Sequence, residues 1–210
     1  MYGIYIKNTA LKNYIKLVQN NEHKKALELL EKDKKRTIFG LEHESAIAYL
    51  YFITNNYEKY LTVKKEYTPM DFEKKPEIYF RTTNLFKITE MIFMYLHEQV
   101  EDANMEYKRF IEKDNDIEKR LYYIDYKTWV LFQALKMIYL YNDEKYVESK
   151  RMYECISMYA YNHTVKALIS YYMCRIYEIE GEMEAIKIIL FDADIQNNPY
   201  RIYFDKWREK

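Results

Sequence analysis

One short pattern recurs along the 210 residues of this chain and constrains its fold more than any other feature. A polar turn is followed by an aromatic or apolar anchor residue, and a small residue comes about three positions after the anchor. The successive spacings of the anchors are 34, 43, 46 and 37 residues, for His23, Tyr57, Val100, Tyr146 and Met183. Periods of this length are typical of stacked helix–turn–helix units. The pattern predicts an all-α protein, an α-solenoid of about five antiparallel helical pairs.

The scarcity of helix breakers supports this prediction. The chain has 3 glycines and 3 prolines among 210 residues. Helices joined by short polar turns need few of either, whereas an all-β protein with many tight turns needs more. We expect one domain over residues 1–210, with a possible kink at 68–76, where Pro69 and Pro76 interrupt the helical pattern.

Apolar residues at helical spacing define the expected pairs. A final short helix after Pro199 is expected to cap the exposed end of the stack, since solenoids need their terminal faces covered. Its apolar residues are Tyr200, Ile202, Tyr203, Phe204 and Trp207. The pairs are 11–20 with 22–35, 42–54 with 57–67, 77–96 with 100–113, 117 or 125–141 with 144–159, and 165–179 with 182–193.

The charge balance disfavours direct binding to nucleic acid. The chain carries 33 basic and 33 acidic residues and has no net charge. Nucleic-acid binders usually show a basic excess or a basic stripe. The densest basic stretch, residues 32–36, falls where the first pair should end, and basic side chains there complement the helix dipole.

The two cysteines and the hydropathy pattern bear on location. Cys155 and Cys174 are too few for a disulfide framework and are typical of a reducing compartment. The N-terminal residues lack the apolar core of a secretory signal, and no run is long enough to span a bilayer. We therefore expect a cytoplasmic protein, or alternatively the soluble domain of a membrane-tethered protein.

The helical units resemble the tetratricopeptide repeat, whose 34-residue unit has small and aromatic residues at fixed positions. In the second unit, Ala48 holds the small position and Tyr51 the aromatic one, and Tyr57 opens the second helix. Three further units match in part, through Ala26 in the first, Ala103 with Tyr107 in the third, and Cys174 with Tyr177 and Gly181 in the last.

The resemblance is degenerate in places. Tyr60 and Ser149 stand where the family has alanine, and the later spacings exceed 34 residues. Two alternatives stay open at this point. One is a helical-pair solenoid of longer period, and the other is a non-repetitive bundle of similar amphipathic helices.

Catalytic patterns are poorly supported in this sequence. The glycines are too scattered for a phosphate-binding loop. His97-Glu98 begins like a metalloprotease helix, but Glu101 stands where the second histidine ligand must be. Cys155 and His163 could form a nucleophile–base pair only if the fold brought them together. We expect no enzymatic activity, no metal and no cofactor.

The resemblance implies that the first helices of successive units line a concave groove. That face would present seven side chains, Tyr49, Phe52, Tyr95, Tyr141, Tyr171, Arg175 and Glu178. Any one of these tyrosines could instead pack in the interior. The family's best-known carboxylate-clamping positions hold Ser45, Ile88 and Tyr171 here, so that function is not carried over.

The sequence therefore predicts a non-enzymatic module that binds a protein or peptide through an aromatic groove. The alternative is a regulatory sensor of a short signalling peptide, as part of a larger protein, because some bacterial peptide receptors contain similar domains. The uncovered apolar segment Tyr2, Ile4, Tyr5 and Ile6 predicts that self-association would occur at the N-terminal end.

Overall fold

The computed structural model describes residues 13, 16–17, 22–32, 43–67, 76–158, 163–196 and 198–208. Within these residues every regular element is helical and no strand occurs, which confirms the all-α prediction for this part of the chain. The elements are α1 (His23–Lys32), α2 (His43–Ile53), α3 (Tyr57–Glu66), α4 (Pro76–Leu96), α5 (Val100–Lys113), α6 (Ile117–Ile124), α7 (Tyr126–Asn142), α8 (Tyr146–Ser157), α9 (His163–Glu180), α10 (Met183–Leu190), α11 (Ala193–Gln196), a 3₁₀ segment (Pro199–Phe204) and α12 (Asp205–Arg208).

Most expected helix boundaries agree with these elements to within a few residues. The stretch from 117 to 141 is two helices, because Asp125 ends α6 and its side chain accepts a hydrogen bond from the backbone N–H of Thr128 at 3.4 Å. Aspartate is a favoured N-cap residue, so a new helix, α7, begins directly after Asp125. Most of the expected helix 11–20, the N-terminal segment and the expected kink, apart from Pro76, lie outside the described residues.

The chain divides into two compact units, residues 1–86 and 87–210. In the first unit α2 packs against both α1 and α3. In the second unit α9 is the central helix and contacts α7, α8, α10, α11 and the 3₁₀ segment. The stacking of five pairs into a solenoid, as one domain, stays a prediction.

The same backbone turn joins four of the helical pairs. In each, one residue has a positive φ: 54° at Asn55, 61° at Glu98, 59° at Glu144 and 77° at Gly181. At the first turn the N–H of Asn55 donates to the carbonyl of Phe52 at 3.0 Å, and that of Asn56 donates to Tyr51 at 2.8 Å. The other three turns repeat these two bonds, which define the Schellman motif.

The turn also fixes how each second helix meets the first. Its first residue, the anchor of the sequence pattern, follows the positive-φ residue by two positions. The residue three positions after the anchor is fully or almost fully buried in all five units, at Ala26, Tyr60, Ala103, Ser149 and Ile186. The recurring pattern therefore corresponds to a recurring local geometry.

Two of the three residues that depart from alanine at this buried position, Tyr60 and Ser149, make hydrogen bonds that an alanine cannot. The hydroxyl of Tyr60 donates to the backbone carbonyl of Phe86 in α4 at 2.8 Å. The hydroxyl of Ser149 donates to the carbonyl of Met137 in α7 at 3.0 Å. Both polar groups are thereby satisfied in the interior, as buried hydroxyls require.

The C-terminal segment packs against α9, with Tyr200, Phe204 and Trp207 buried. The side-chain amide of Asn198 donates to the carbonyl of His163 at 2.9 Å, which ties the segment to the start of α9. Ile202, expected on the apolar face, is exposed. The 3₁₀ geometry has about three residues per turn, which rotates Ile202 away from α9. Among the described residues no helix is both long and apolar enough to cross a membrane.

The turns give opposite expectations for glycine at two positions. Gly181→Ala should lower the free energy of unfolding by about 1 kcal/mol, because alanine is disfavoured at positive φ. No steric clash contributes, since no atom lies within 4 Å of the added Cβ. Glu144→Gly should raise the free energy of unfolding by about 0.5 kcal/mol, because the relief of backbone strain exceeds the extra conformational entropy that glycine loses on folding.

Urea unfolding measures both effects, and Glu182→Ala is the matched control because Glu182 has an ordinary φ of −85°. A Gly181→Ala variant as stable as the wild type would contradict the turn geometry.

Substitution by alanine should have different effects at Tyr60 and Ser149. Tyr60→Ala should lower the free energy of unfolding by about 3 to 5 kcal/mol, because a large buried ring leaves a cavity. Tyr60→Phe should cost about 1 kcal/mol through the lost hydrogen bond. Ser149→Ala should cost about 1 kcal/mol or less, since little volume is lost. Equal losses for Tyr60→Ala and Tyr60→Phe would show that the ring does not fill the interior.

Candidate binding surface

Two of the predicted groove tyrosines contact the guanidinium group of a third predicted groove residue, Arg175, in the second unit. The Cζ atom of Arg175 lies 5.2 Å from the ring centroid of Tyr141 and 5.9 Å from that of Tyr171. Both distances are within the range of a cation–π contact. We call Tyr141, Tyr171, Arg175, Glu178 and Lys206 the tyrosine–arginine surface.

Helix geometry places these side chains together. Tyr171, Arg175 and Glu178 follow one another at i, i+4 and i+7 in α9, so they share one face of the helix. Tyr141 lies near the end of α7, which packs against α9. The Schellman turn begins at Tyr141, whose carbonyl accepts the N–H of Glu144 at 3.1 Å.

Tyr172 packs against the rings of both Tyr141 and Tyr171 from the interior of the protein. It is buried, and its ring lies 5.2 Å from Tyr141 and 5.1 Å from Tyr171, both edge-on. Edge-to-face packing is a favoured arrangement for aromatic rings. Burial raises the pKa of Tyr172 well above its ordinary value, and burial also raises the pKa of Tyr141, against the opposing effect of the Arg175 charge.

Arg175 has no carboxylate partner among the described residues. The charge pair expected between Arg175 and Glu178 is absent, because the carboxylate of Glu178 pairs instead with Lys206 at 2.6 Å. Arg175 itself is half-buried, and its side chain hydrogen-bonds to Tyr171. A guanidinium with two aromatic neighbours and no anion is arranged to receive one from outside.

The other predicted groove residues lie elsewhere. Tyr49 and Phe52 belong to the first unit, where their rings stack at 6.3 Å and Phe52 is buried. Tyr95 belongs to the second unit and is buried, and its hydroxyl donates to the side chain of Asn104 at 2.7 Å. Burial raises the pKa of Tyr95. Phe52 and Tyr95 therefore act in interior packing and offer little area to a partner, and Tyr141, which is also buried, belongs to the tyrosine–arginine surface only through its contact with Arg175.

Several neighbours of this surface were not predicted from the sequence. The ring of Tyr171 also contacts Tyr203, Phe204 and Trp207 of the C-terminal segment, at 5.5 to 5.9 Å. Lys206 lies over the ring of Trp207 at 4.2 Å. These residues come about 30 positions after Tyr171, so helical periodicity within α9 could not reveal them.

A separate cleft of about 350 Å³ lies between α5, α6 and α7. The rings of Tyr107 and Tyr139 stack at 4.2 Å on one side of it, and Lys136 pairs with Glu118 at 3.1 Å on another. Among the charged side chains that line the cleft, Lys136 and Glu118 form this internal pair. The other charged side chains, which are of both signs, are exposed. In the described part of the chain, no three histidine, cysteine or acidic side chains are placed to hold a metal ion.

The two residues weighed as a nucleophile–base pair lie in different helices. Cys155 is exposed in α8, while His163 begins α9. Cys174 is buried in α9, and burial raises the pKa of its thiol to about 12. A thiol with so high a pKa is a poor nucleophile at neutral pH.

No family model matches this chain, and no curated protein or solved structure matches it.

The buried tyrosines predict alkaline destabilisation. The raised pKa values of Tyr95, Tyr141 and Tyr172 mean that the unfolded chain releases these protons near pH 10 while the folded chain retains them. Folding stability is therefore intact below about pH 9 and falls above about pH 10, by about 1.4 kcal/mol per pH unit for each such group.

Urea unfolding between pH 8 and about pH 11 measures this slope. Tyr172→Phe should reduce the slope by about one proton, because Tyr172 is buried and its pKa is raised. An unchanged slope in Tyr172→Phe would mean that Tyr172 ionises equally in both states.

Proposed function

We propose that this chain is a non-enzymatic binding module, and that its tyrosine–arginine surface takes up a peptide or helix of a partner protein. The observation that carries the proposal is the environment of Arg175. Its guanidinium is half-buried between Tyr141 and Tyr171 and has no carboxylate partner among the described residues. The partner would supply a negatively charged group at this position.

Guanidinium chemistry supports an anionic ligand group. Aromatic rings that cover the faces of a guanidinium leave its N–H groups at the edge, where a carboxylate or phosphate accepts two parallel hydrogen bonds. Partial burial strengthens such an interaction relative to one in bulk water. The rings also restrict the arginine before the ligand arrives, which lowers the entropy cost of binding.

The charges around Arg175 would orient a bound peptide. Glu178 lies one turn further along α9, and Lys206 neutralises it at 2.6 Å. The uncompensated positive charge is then that of Arg175. A peptide acid would lie on Arg175, and apolar side chains on either side would cover the partly exposed rings of Tyr146 and Tyr171.

Selection from a displayed library of random peptides tests this proposal. We expect the wild-type protein to enrich peptides that contain aspartate, glutamate or a free C-terminus next to apolar residues. Arg175→Gln should weaken the selected peptides by about 10- to 100-fold, the usual value of a hydrogen bond to a charged group. Arg175→Lys should recover only part of this, because lysine cannot make the bidentate contact.

Arg151→Gln is the matched control, since Arg151 is an exposed arginine on the neighbouring helix α8. Thermal melting confirms that each variant is folded. Comparing acidic peptides with phosphorylated ones distinguishes a carboxylate from a phosphate ligand. Equal affinity of the wild type and Arg175→Gln for every selected peptide would remove Arg175 from the binding surface and, with it, the basis of the proposal.

A further inference from the structure

The cleft between α5, α6 and α7 is lined by polar groups for which the described part of the chain supplies no partner. The side chain of Tyr107 is only 7% exposed, and it lines the cleft. Its hydroxyl nevertheless makes no hydrogen bond with any described residue. Buried tyrosine hydroxyls usually have a hydrogen-bond partner. A molecule bound in the cleft would supply the partner that Tyr107 lacks.

The neighbouring carboxylate does not fill this role, because both of its oxygens are already engaged. Gln133 and Lys136 donate to the two oxygens of Glu118, each at 3.1 Å. Burial raises the pKa of Tyr107, and the negative charge of Glu118 adds to this effect. The phenol therefore keeps its proton at neutral pH and remains a hydrogen-bond donor.

Two opposite charges stand unpaired at the edge of the cleft. Lys108 and Glu112 lie one turn apart in α5, are exposed, and line the cleft. Neither forms an ion pair with a described residue, and a lysine four positions before a glutamate is the less favourable order for such a pair. The side-chain amide of Asn115 also has no hydrogen-bond partner in the part of the chain that the structure describes. A ligand with one positive and one negative group would find a partner here for each.

The size and the remaining lining of the cleft limit the ligand further. Ile111, Ile117 and Phe132 give the cleft an apolar part, and the last two are buried. The volume of about 350 Å³ is at the lower end of the range for small-molecule sites. The lining contains two lysines and two glutamates, whose charges cancel. These properties fit a small ligand that carries both charges and one apolar group.

We propose that the cleft binds a free α-amino acid with an apolar side chain. Such a molecule carries an ammonium and a carboxylate on one carbon atom, and Glu112 and Lys108 offer an opposite charge to each. Tyr107 would donate to the carboxylate, and hydrogen bonds to a charged acceptor are among the stronger ones. The apolar side chain would be removed from water against Ile117 and Phe132.

This site is separate from the tyrosine–arginine surface. Tyr139, which lines the cleft, and Tyr141 are two positions apart in α7, so they point about 200° apart around the helix. Helix α9, which carries Arg175, contributes no residue to the lining of the cleft. The amino-acid site therefore does not depend on the proposed function.

Other ligand classes match these groups less well. A phosphate or another anion would meet the like charges of Glu112 and Glu118. An uncharged sugar has no charge to pair with Lys108 or Glu112. A residue in the middle of a peptide chain has neither a free ammonium nor a free carboxylate. A purely apolar molecule would leave the hydroxyl of Tyr107 desolvated and unpaired, which is costly.

Isothermal titration calorimetry of the full chain tests the proposal with L-leucine, L-methionine and L-phenylalanine as probes. We expect at least one of them to bind with a dissociation constant on the order of 0.1 to 1 mM, a value consistent with the few atoms that such a ligand offers. The N-acetyl and carboxamide derivatives of the same amino acid lack the ammonium charge and the carboxylate charge, respectively. Each derivative should bind at least about tenfold more weakly than the free amino acid.

Three substitutions assign the interacting groups. Tyr107→Phe keeps the ring and removes the hydroxyl, and it should weaken binding by about tenfold. Glu112→Gln should weaken the free amino acid to a similar extent and leave the N-acetyl derivative unaffected, whereas Lys108→Gln should leave the carboxamide unaffected. Such selective effects identify the charge with which each residue pairs. Glu101→Gln and Lys113→Gln are the matched controls, since both residues are exposed in α5 and lie outside the cleft lining.

Thermal melting verifies that each variant is folded. The proposal would be overturned if none of the three amino acids bound at concentrations up to about 10 mM, at which a site with a 1 mM dissociation constant is about nine-tenths occupied. Equal binding of the free amino acid and both derivatives would also overturn it, as would equal binding by Tyr107→Phe and the wild type.

Two further titrations use D-glucose and inorganic phosphate as probes of an uncharged and an anionic ligand. Binding of either one that depends on Tyr107 would assign the cleft to that ligand class and overturn the amino-acid assignment. Arg175→Gln should bind the amino acid normally, so this site and the tyrosine–arginine surface can fail their tests separately.

Discussion

The left-handed turn between paired helices is the constraint on which the other contacts depend. It satisfies two carbonyls at the end of one helix and reverses the chain within the two or three residues that separate the helices. The start of the next helix is thereby fixed, and its fourth residue must face the interior. Only one of the four positive-φ positions in these turns is glycine. Glu98 and Glu144 adopt a positive φ despite the backbone strain that this conformation causes in a residue with a side chain. Hydrogen-bond geometry, more than residue identity, therefore maintains these turns.

Tyrosine has two different uses in this interior. Where its hydroxyl finds a backbone or amide oxygen, as in Tyr60 and Tyr95, the side chain fills space and satisfies its polar group within the protein. Where rings gather around a cation, as Tyr141 and Tyr171 do around Arg175, they orient a charge. The same residue type thus fills the interior in one place and orients a charge in another, and only the second use enters the proposed function.

The helices and their turns were predictable from the sequence because they depend on neighbours a few residues apart. The shared face of Tyr171, Arg175 and Glu178 followed from helical periodicity for the same reason. Which of the side chains are buried could not be predicted from the sequence in the same way. Phe52, Tyr95, Tyr141 and Glu178 each precede a positive-φ residue by three positions and are equivalent in register, yet the three aromatic ones are buried and Glu178 is not. The Glu178–Lys206 pair joins residues 28 positions apart, so helical periodicity could not reveal it.

Tyr171 has a further consequence because one ring serves two sets of contacts. It orients Arg175 on one side and packs against Tyr203, Phe204 and Trp207 on the other. A ligand that requires Tyr171 in this position binds the state in which residues 199–208 are docked on α9. Thermodynamic reciprocity then requires the ligand to strengthen that docking by the same free energy by which docking strengthens the ligand. Under the proposed function, residues 199–208 are therefore coupled to the occupancy of a surface built mainly by two other helices.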